Sequence, residues 1–219
     1  MAKDKEFIRL LAVAPYFFVD DGGGAERVIQ RFVYEWHHLP EIDLEVWASG
    51  STSLHTWNNN ALHRKANFGN LNVKVFPANV GCKGLCDFLH RQLNRGARNP
   101  LLEYLWIQTA ITGRGMDREL RARKAEFDVI YLPHCFYGST HRLAPIAGKQ
   151  AILHPFFHDE PALKNNSVKK LFATVGKVML NTSTEEEYVR SSFSVPDQLQ
   201  FCEIGNIVDR SAELDWNVV

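Results

Sequence analysis

The sequence predicts an α/β fold: a single Rossmann-like, doubly wound domain whose mainly parallel sheet has about seven strands flanked by helices. Three observations carry that expectation. Apolar runs of strand length recur along the chain, and several are stopped by proline. Amphipathic helical segments lie between them. The first run leads through a short loop into three consecutive glycines and then a helix. Strands that are apolar on both sides belong in a parallel sheet covered on both faces by helices.

The elements are read in chain order. Residues 8–14 are an apolar run ended by Pro15, the first strand. After Gly22, Gly23 and Gly24, the residues Ala25, Val28, Ile29, Phe32, Val33, Trp36 and Leu39 share one helical face, and Pro40 ends that helix. Residues 44–48 are the second strand. Residues 50–70, rich in Asn, Ser and His, read as a long loop, and 73–76 as a short third strand. Residues 84–124 are the least regular part, with helical patches broken near Gly96, Pro100 and Gly113. Residues 127–132 form a strand stopped by Pro133, and 151–153 another stopped by Pro155. Residues 164–175 read as a helix and 177–180 as a sixth strand. Ser183 is the expected N-cap of a helix to Ser192, with Glu186 completing a capping box. Residues 199–204 are the seventh strand. No repeat, low-complexity segment or linker divides the chain, so one domain is expected over residues 1–209, followed by the start of a linker at 210–219.

Composition narrows the function classes. A 45% hydrophobic content supports a packed core, and the formal net charge is zero. That balance gives no global pull toward nucleic acid. No stretch approaches the roughly twenty apolar residues of a membrane span. The charged start of the chain lacks the apolar core of a signal peptide. Cys82, Cys86, Cys135 and Cys202 make no second pair for a zinc ribbon. A reduced, cytoplasmic protein is expected.

Glycines at the carboxyl end of a first strand let a ligand approach the main chain, and the helix N-terminus behind them favours an anion. Asp20, Asp21 and Glu26 place negative charge nearby. They would repel a phosphate and suit sugar hydroxyls instead. A plain tight turn is the competing reading of the glycines. The pattern is not the dinucleotide fingerprint Gly-x-Gly-x-x-Gly. His154, His158 and Asp159 raise the question of a metal, but Pro155 and the strand before it disfavour the helical His-x-x-x-His arrangement. No metal is expected. His134 and His158 both follow strands, at the end where α/β sheets hold ligands. For each, a structural hydrogen bond is the competing reading.

Several of these segments, in this order, resemble the N-terminal, acceptor-side domain of the retaining family-4 glycosyltransferases of GT-B fold. The matching pieces are Gly23-Gly24-Ala25-Glu26-Arg27 opening a helix, Asp128-Val129-Ile130 running to His134, and Ile152-Leu153-His154 running to His158-Asp159-Glu160-Pro161. Val178 to Ser183 and Gly205-Asn206-Ile207-Val208-Asp209 complete the series. Ile207 stands where the family's hinge turn usually has glycine, and residues 50–124 match nothing in the pattern. The resemblance implies a hexosyltransferase-like half-enzyme of polysaccharide biosynthesis. Its co-substrate is a nucleotide-sugar, with no further cofactor, and its acceptor is a glycan or lipid-linked glycan. It implies His158 as the catalytic residue at the transferred sugar, and Gly22, Gly23, Gly24, Glu26, His134, Asp159 and Glu160 as substrate-binding residues. It further implies a C-terminal nucleotide-sugar domain as partner, without which this chain is inactive. In related enzymes this part of the acceptor domain can lean on a membrane or bind a lipid-linked or anionic acceptor, which makes the basic and apolar stretch 91–124 a candidate for contact at the inner membrane face; an ordinary solvated helix face over a core is the favoured competing reading. A non-catalytic carbohydrate-binding or partner-subunit module of the same fold is the alternative.

Overall fold

The computed structural model describes residues 7–65, 70–156, 160–193, 195–197 and 199–204. A seven-stranded sheet runs β3-β2-β1-β4-β5-β6-β7, and every pairing is parallel. The strands are β1 (Ile8–Val13), β2 (Ile42–Ser49), β3 (Asn72–Phe76), β4 (Val129–Pro133), β5 (Ala151–His154), β6 (Lys177–Leu180) and β7 (Gln200–Glu203). The helices are α1 (Gly24–His37), α2 (Lys83–Asn94), α3 (Pro100–Thr109), α4 (Met116–Arg123), α5 (Gly138–Ala147), α6 (Asn166–Thr174) and α7 (Ser183–Ser192). The expected doubly wound parallel sheet is therefore present.

Alternation along β1 divides the core. Leu11 and Val13 join one buried cluster with Leu120 of α4, Leu143 of α5, Phe172 of α6 and Val189 of α7. Leu10, Ala12 and Ala14 join the other, with Ile29 and Val33 of α1, Leu89 and Leu93 of α2 and Trp106 of α3. A period of two in the strand feeds both faces, and each face needs a helical cover.

The stretch 84–124, irregular by sequence, resolves into α2, α3 and α4. Asn99 caps α3 by accepting from the Leu101 and Leu102 amides (2.9 and 3.4 Å), with Pro100 in the first helical position. The α2–α3 hairpin packs on the chain that follows β4 and β5. Asn94 Oδ1 accepts from the Ala162 amide at 3.1 Å, and the Ser139 amide donates to the Ile111 carbonyl at 3.1 Å.

Two boundaries differ from expectation. Thr182, not Ser183, caps α7: its hydroxyl accepts from the Glu185 amide at 3.3 Å. The expected helix 164–175 is a 3₁₀ turn at Pro161–Lys164 followed by α6. Residues 205–219, including the expected hinge turn and linker, lie outside the described residues.

Candidate functional site

Strand order reverses direction between β1 and β4, since the chain winds outward through β2 and β3 on one side and through β5 to β7 on the other. At such a switch point the loops after the two strands diverge and leave a crevice at their carboxyl ends. The residues after β1, β4 and β5 therefore share one rim. Hydrogen bonds tie the rim together: the His134 amide donates to the His154 carbonyl (2.7 Å), and the Cys135 amide to the Pro155 carbonyl (2.9 Å).

Gly22, Gly23 and Gly24 sit at this rim, where the loop after β1 enters α1. Glu26 is buried, and its carboxylate closes half of a capping box by accepting from the Gly23 amide at 3.0 Å. Its other oxygen accepts from the Tyr137 hydroxyl. Glu26 thus holds the glycine loop to the turn after β4 with both oxygens engaged. Tyr137 is buried edge-on against Tyr16 (5.5 Å), whose hydroxyl accepts from Trp57 Nε1 at 2.6 Å. Three loops at the carboxyl edge are joined through these side chains. The Gln30 amide adds a bond to the Phe17 carbonyl at 2.9 Å.

Asp20 and Asp21 are exposed at the mouth of the loop, and each has a partner. Arg64 meets Asp20 at 2.9 Å. Asp21 accepts from the Leu54 amide and the Ser53 hydroxyl, both at 2.8 Å. Slight burial raises the Asp21 pKa, but those hydrogen bonds outweigh it and hold the carboxyl below its ordinary value.

His134 and Phe156 are the first residues past β4 and the second past β5. Both take left-handed backbone conformations, with φ of 59° and 46°. Non-glycine residues pay little attention to that region except where the surroundings enforce it, and it is enriched at functional turns. The His134 ring stacks on Tyr137 (4.6 Å) and faces Phe156 at 6.3 Å. Half-buried aromatic rings therefore line the rim beside the glycines. Beneath them His154 is fully buried. The Tyr131 hydroxyl lies 2.8 Å from its Nδ1 and Asn181 Oδ1 lies 3.2 Å from its Nε2. The amide oxygen can only accept, so Nε2 carries the proton and Nδ1 accepts from Tyr131. Burial pushes its pKa down to about 3. Both nitrogens are committed, and His154 has no lone pair left for a metal.

His158 and Asp159 lie outside the described residues. Glu160, the next residue of the same loop, accepts from Asn94 Nδ2 at 3.2 Å, and His90 Nε2 lies 3.8 Å from the same oxygen. Among the described residues no group of three or more His, Cys, Asp and Glu could hold a metal. The four cysteines are free thiols, with Cys86 and Cys135 buried.

The structure thus brings Gly22, Gly23, Gly24, Glu26 and His134 to one rim. Glu160 lies on the loop after β5, tied to α2. Tyr16, Tyr137 and Phe156 at the rim were not anticipated. Their sequence signal was weak: each is one apolar aromatic just past a strand, indistinguishable there from core. No protein-family model matches the chain, and no curated protein is significantly similar to it.

Proposed function

We infer that this chain is the acceptor-side half of a retaining glycosyltransferase, working with a nucleotide-sugar-binding domain. One observation carries the reading. The glycine loop, the turn after β4 and the residues that directly follow β5 all leave the same edge of a parallel sheet, around its switch point, and His158 comes four residues after the end of β5 in sequence. Bare glycine backbone admits a ligand, and the half-buried rings of His134 and Phe156 suit the C–H faces of a pyranose. Asp20 and Asp21 at the mouth favour hydroxyls over phosphate, so the acceptor or the transferred sugar belongs here. The diphosphate needs cations from the second domain.

In this reading His158 positions the transferred sugar and stabilises the oxocarbenium-like charge of a retaining transfer. Glu26 holds the glycine loop, and Glu160 anchors the His158 loop to α2. The aspartates at the mouth also leave open a module that binds a glycan without catalysis. The two are separated by assaying sugar transfer from a panel of nucleotide-sugars with the protein made from its full reading frame. His158→Ala is expected to lower turnover by at least about a hundredfold with the fold intact. Wild-type rates in that variant remove the assigned role, and glycan binding without any transfer favours the module.

A further inference from the structure

The end of α2 holds the segment after β5 at two points. Asn94, the last residue of α2, accepts from the Ala162 amide through Oδ1 (3.1 Å) and donates to Glu160 Oε2 through Nδ2 (3.2 Å). Just beyond the helix, the Arg98 guanidinium donates to the Pro161 carbonyl (3.0 Å) and to Asn165 Oδ1 (3.1 Å). Turn bonds run from the Leu163 amide to the Glu160 carbonyl (3.0 Å) and from the Asn165 amide to the Ala162 carbonyl (3.2 Å), so residues 160–165 form one piece. Glu160, the substrate-binding candidate on this loop, is therefore placed by α2.

The partners fix which way the Asn94 amide points. A backbone N–H only donates, so the atom facing Ala162 is the oxygen, and the nitrogen faces the Glu160 carboxylate. That nitrogen has a second hydrogen. It lies 3.1 Å from His90 Nε2, one turn earlier on α2. Two donors repel at that distance, so Nε2 is the acceptor and the His90 proton sits on Nδ1. The His90 ring packs beside Trp106 of α3 (5.8 Å) and edge-on to Phe136 of the turn after β4 (5.2 Å), and neither carries charge. The charged groups facing it are Glu160 from the loop after β5, and Asp87 and Lys83 from α2 itself. Burial favours the neutral ring and outweighs the two carboxylates, which holds the His90 pKa below its ordinary value.

We propose that Asn94 is a positioning residue for Glu160, and that its amide holds the loop after β5 only while His90 is neutral. A proton on Nε2 points at the Asn94 nitrogen and brings Glu160 Oε2, 3.8 Å away, into play as its acceptor. The amide relieves the clash by turning its oxygen to His90. Ala162 then loses its acceptor and Glu160 its donor. Arg98 does not titrate, so the outer end of the segment stays pinned while Glu160 is released. A loop merely resting on α2 would give Ala162 no dependence on His90. The consequence for sugar binding rests on the transferase reading; the clamp does not.

The test is nuclear magnetic resonance of the full chain, following exchange protection at the Ala162 amide relative to amides of β4, together with the His90 ring titration. Asn94→Ala is expected to lower that ratio at least about fivefold. In the wild type the ratio should fall toward the Asn94→Ala level as pH drops from ~7.5 to ~5, in step with His90. In His90→Gln, whose side-chain oxygen also accepts from Asn94, it should stay flat. The double variant Asn94→Asp with Glu160→Gln exchanges amide and carboxylate. Its carboxylate accepts from Ala162, from the new amide and from a protonated His90, so the ratio should return to the wild-type level and hold at low pH. In the transfer assay Asn94→Ala should lower turnover at least about tenfold and leave the nucleotide-sugar KM within about twofold. Circular dichroism checks that each variant folds. Unchanged Ala162 protection in Asn94→Ala, a pH response that survives His90→Gln, a double variant that still releases Ala162 at low pH, or wild-type turnover in Asn94→Ala overturns the proposal. A wild type that transfers no sugar overturns the transferase reading alone, and the resonance measurements still decide the clamp.

Discussion

His154 shows how a residue that looks chemical can be structural. It lies in a motif suggestive of a site, yet its ring is sealed under Phe156 (3.7 Å) and bonded at both nitrogens. Burial also lowers His141, whose Nε2 donates to the Cys135 carbonyl (2.7 Å), to about 4. Both histidines are neutral in the folded protein and protonate more readily once unfolded. Below pH ~6.5 the unfolded chain therefore binds more protons, and stability falls as pH drops toward the folded values of about 3 and 4. Between pH 7 and pH 5 each should remove about 2 kcal/mol. Urea unfolding at the two pH values measures the sum, and His154→Gln should cancel its own share. A pH-independent difference between wild type and His154→Gln would contradict the burial argument. At the rim, Tyr137→Phe leaves one oxygen of Glu26 without its donor. The expected cost is about 2 kcal/mol, with faster amide exchange at Gly23. Unchanged exchange there would show that Tyr137 does not brace the glycine loop.

At the level of elements, α5 is the instructive omission. Residues 138–147 carry a glycine at the start, Pro145 inside and Gly148 just past the end. By propensity that segment reads as a loop. It is a helix because tertiary packing overrides propensity: eight of its ten residues are buried, wedged between α3, α4, α6 and the sheet. Gly138 is fixed by the same crowding. A Cβ there would meet the Ala110 carbonyl oxygen at 2.5 Å, which is backbone and cannot step aside. Gly138→Ala should cost at least about 2 kcal/mol by chemical unfolding, and a neutral result would mean that α3 and α5 are free to separate. The strands were legible because apolar runs between prolines leave few alternatives. The glycine loop was legible through its position after the first strand. The aromatic rim and the α2–α3 surface were not, since burial and exposure of an aromatic or a leucine depend on partners far away in sequence. Glu26 was read as a ligand for hydroxyls, and only its neighbours Gly23 and Tyr137 reveal the bracing role.

Considered whole, the molecule is one sheet with a core on each face. Trp47 belongs to one core cluster, and Trp57 and Trp106 to the other. Guanidinium unfolding followed by tryptophan fluorescence and by far-ultraviolet circular dichroism should give coincident, single transitions. Separated midpoints would mean that the two faces come apart independently. The sheet order has a further consequence for how the chain is made. Strand β1 lies inside the sheet, between β2 and β4, and its second partner is synthesised roughly 120 residues after it. At translation rates of about 5–20 residues per second, that edge waits for about six to twenty-five seconds. During that interval Leu10, Leu11 and Ala12 offer a nascent, unpaired strand margin just outside the ribosome. Chaperone demand should therefore peak before β4 emerges, and codons that slow elongation between β3 and β4 should lower soluble yield.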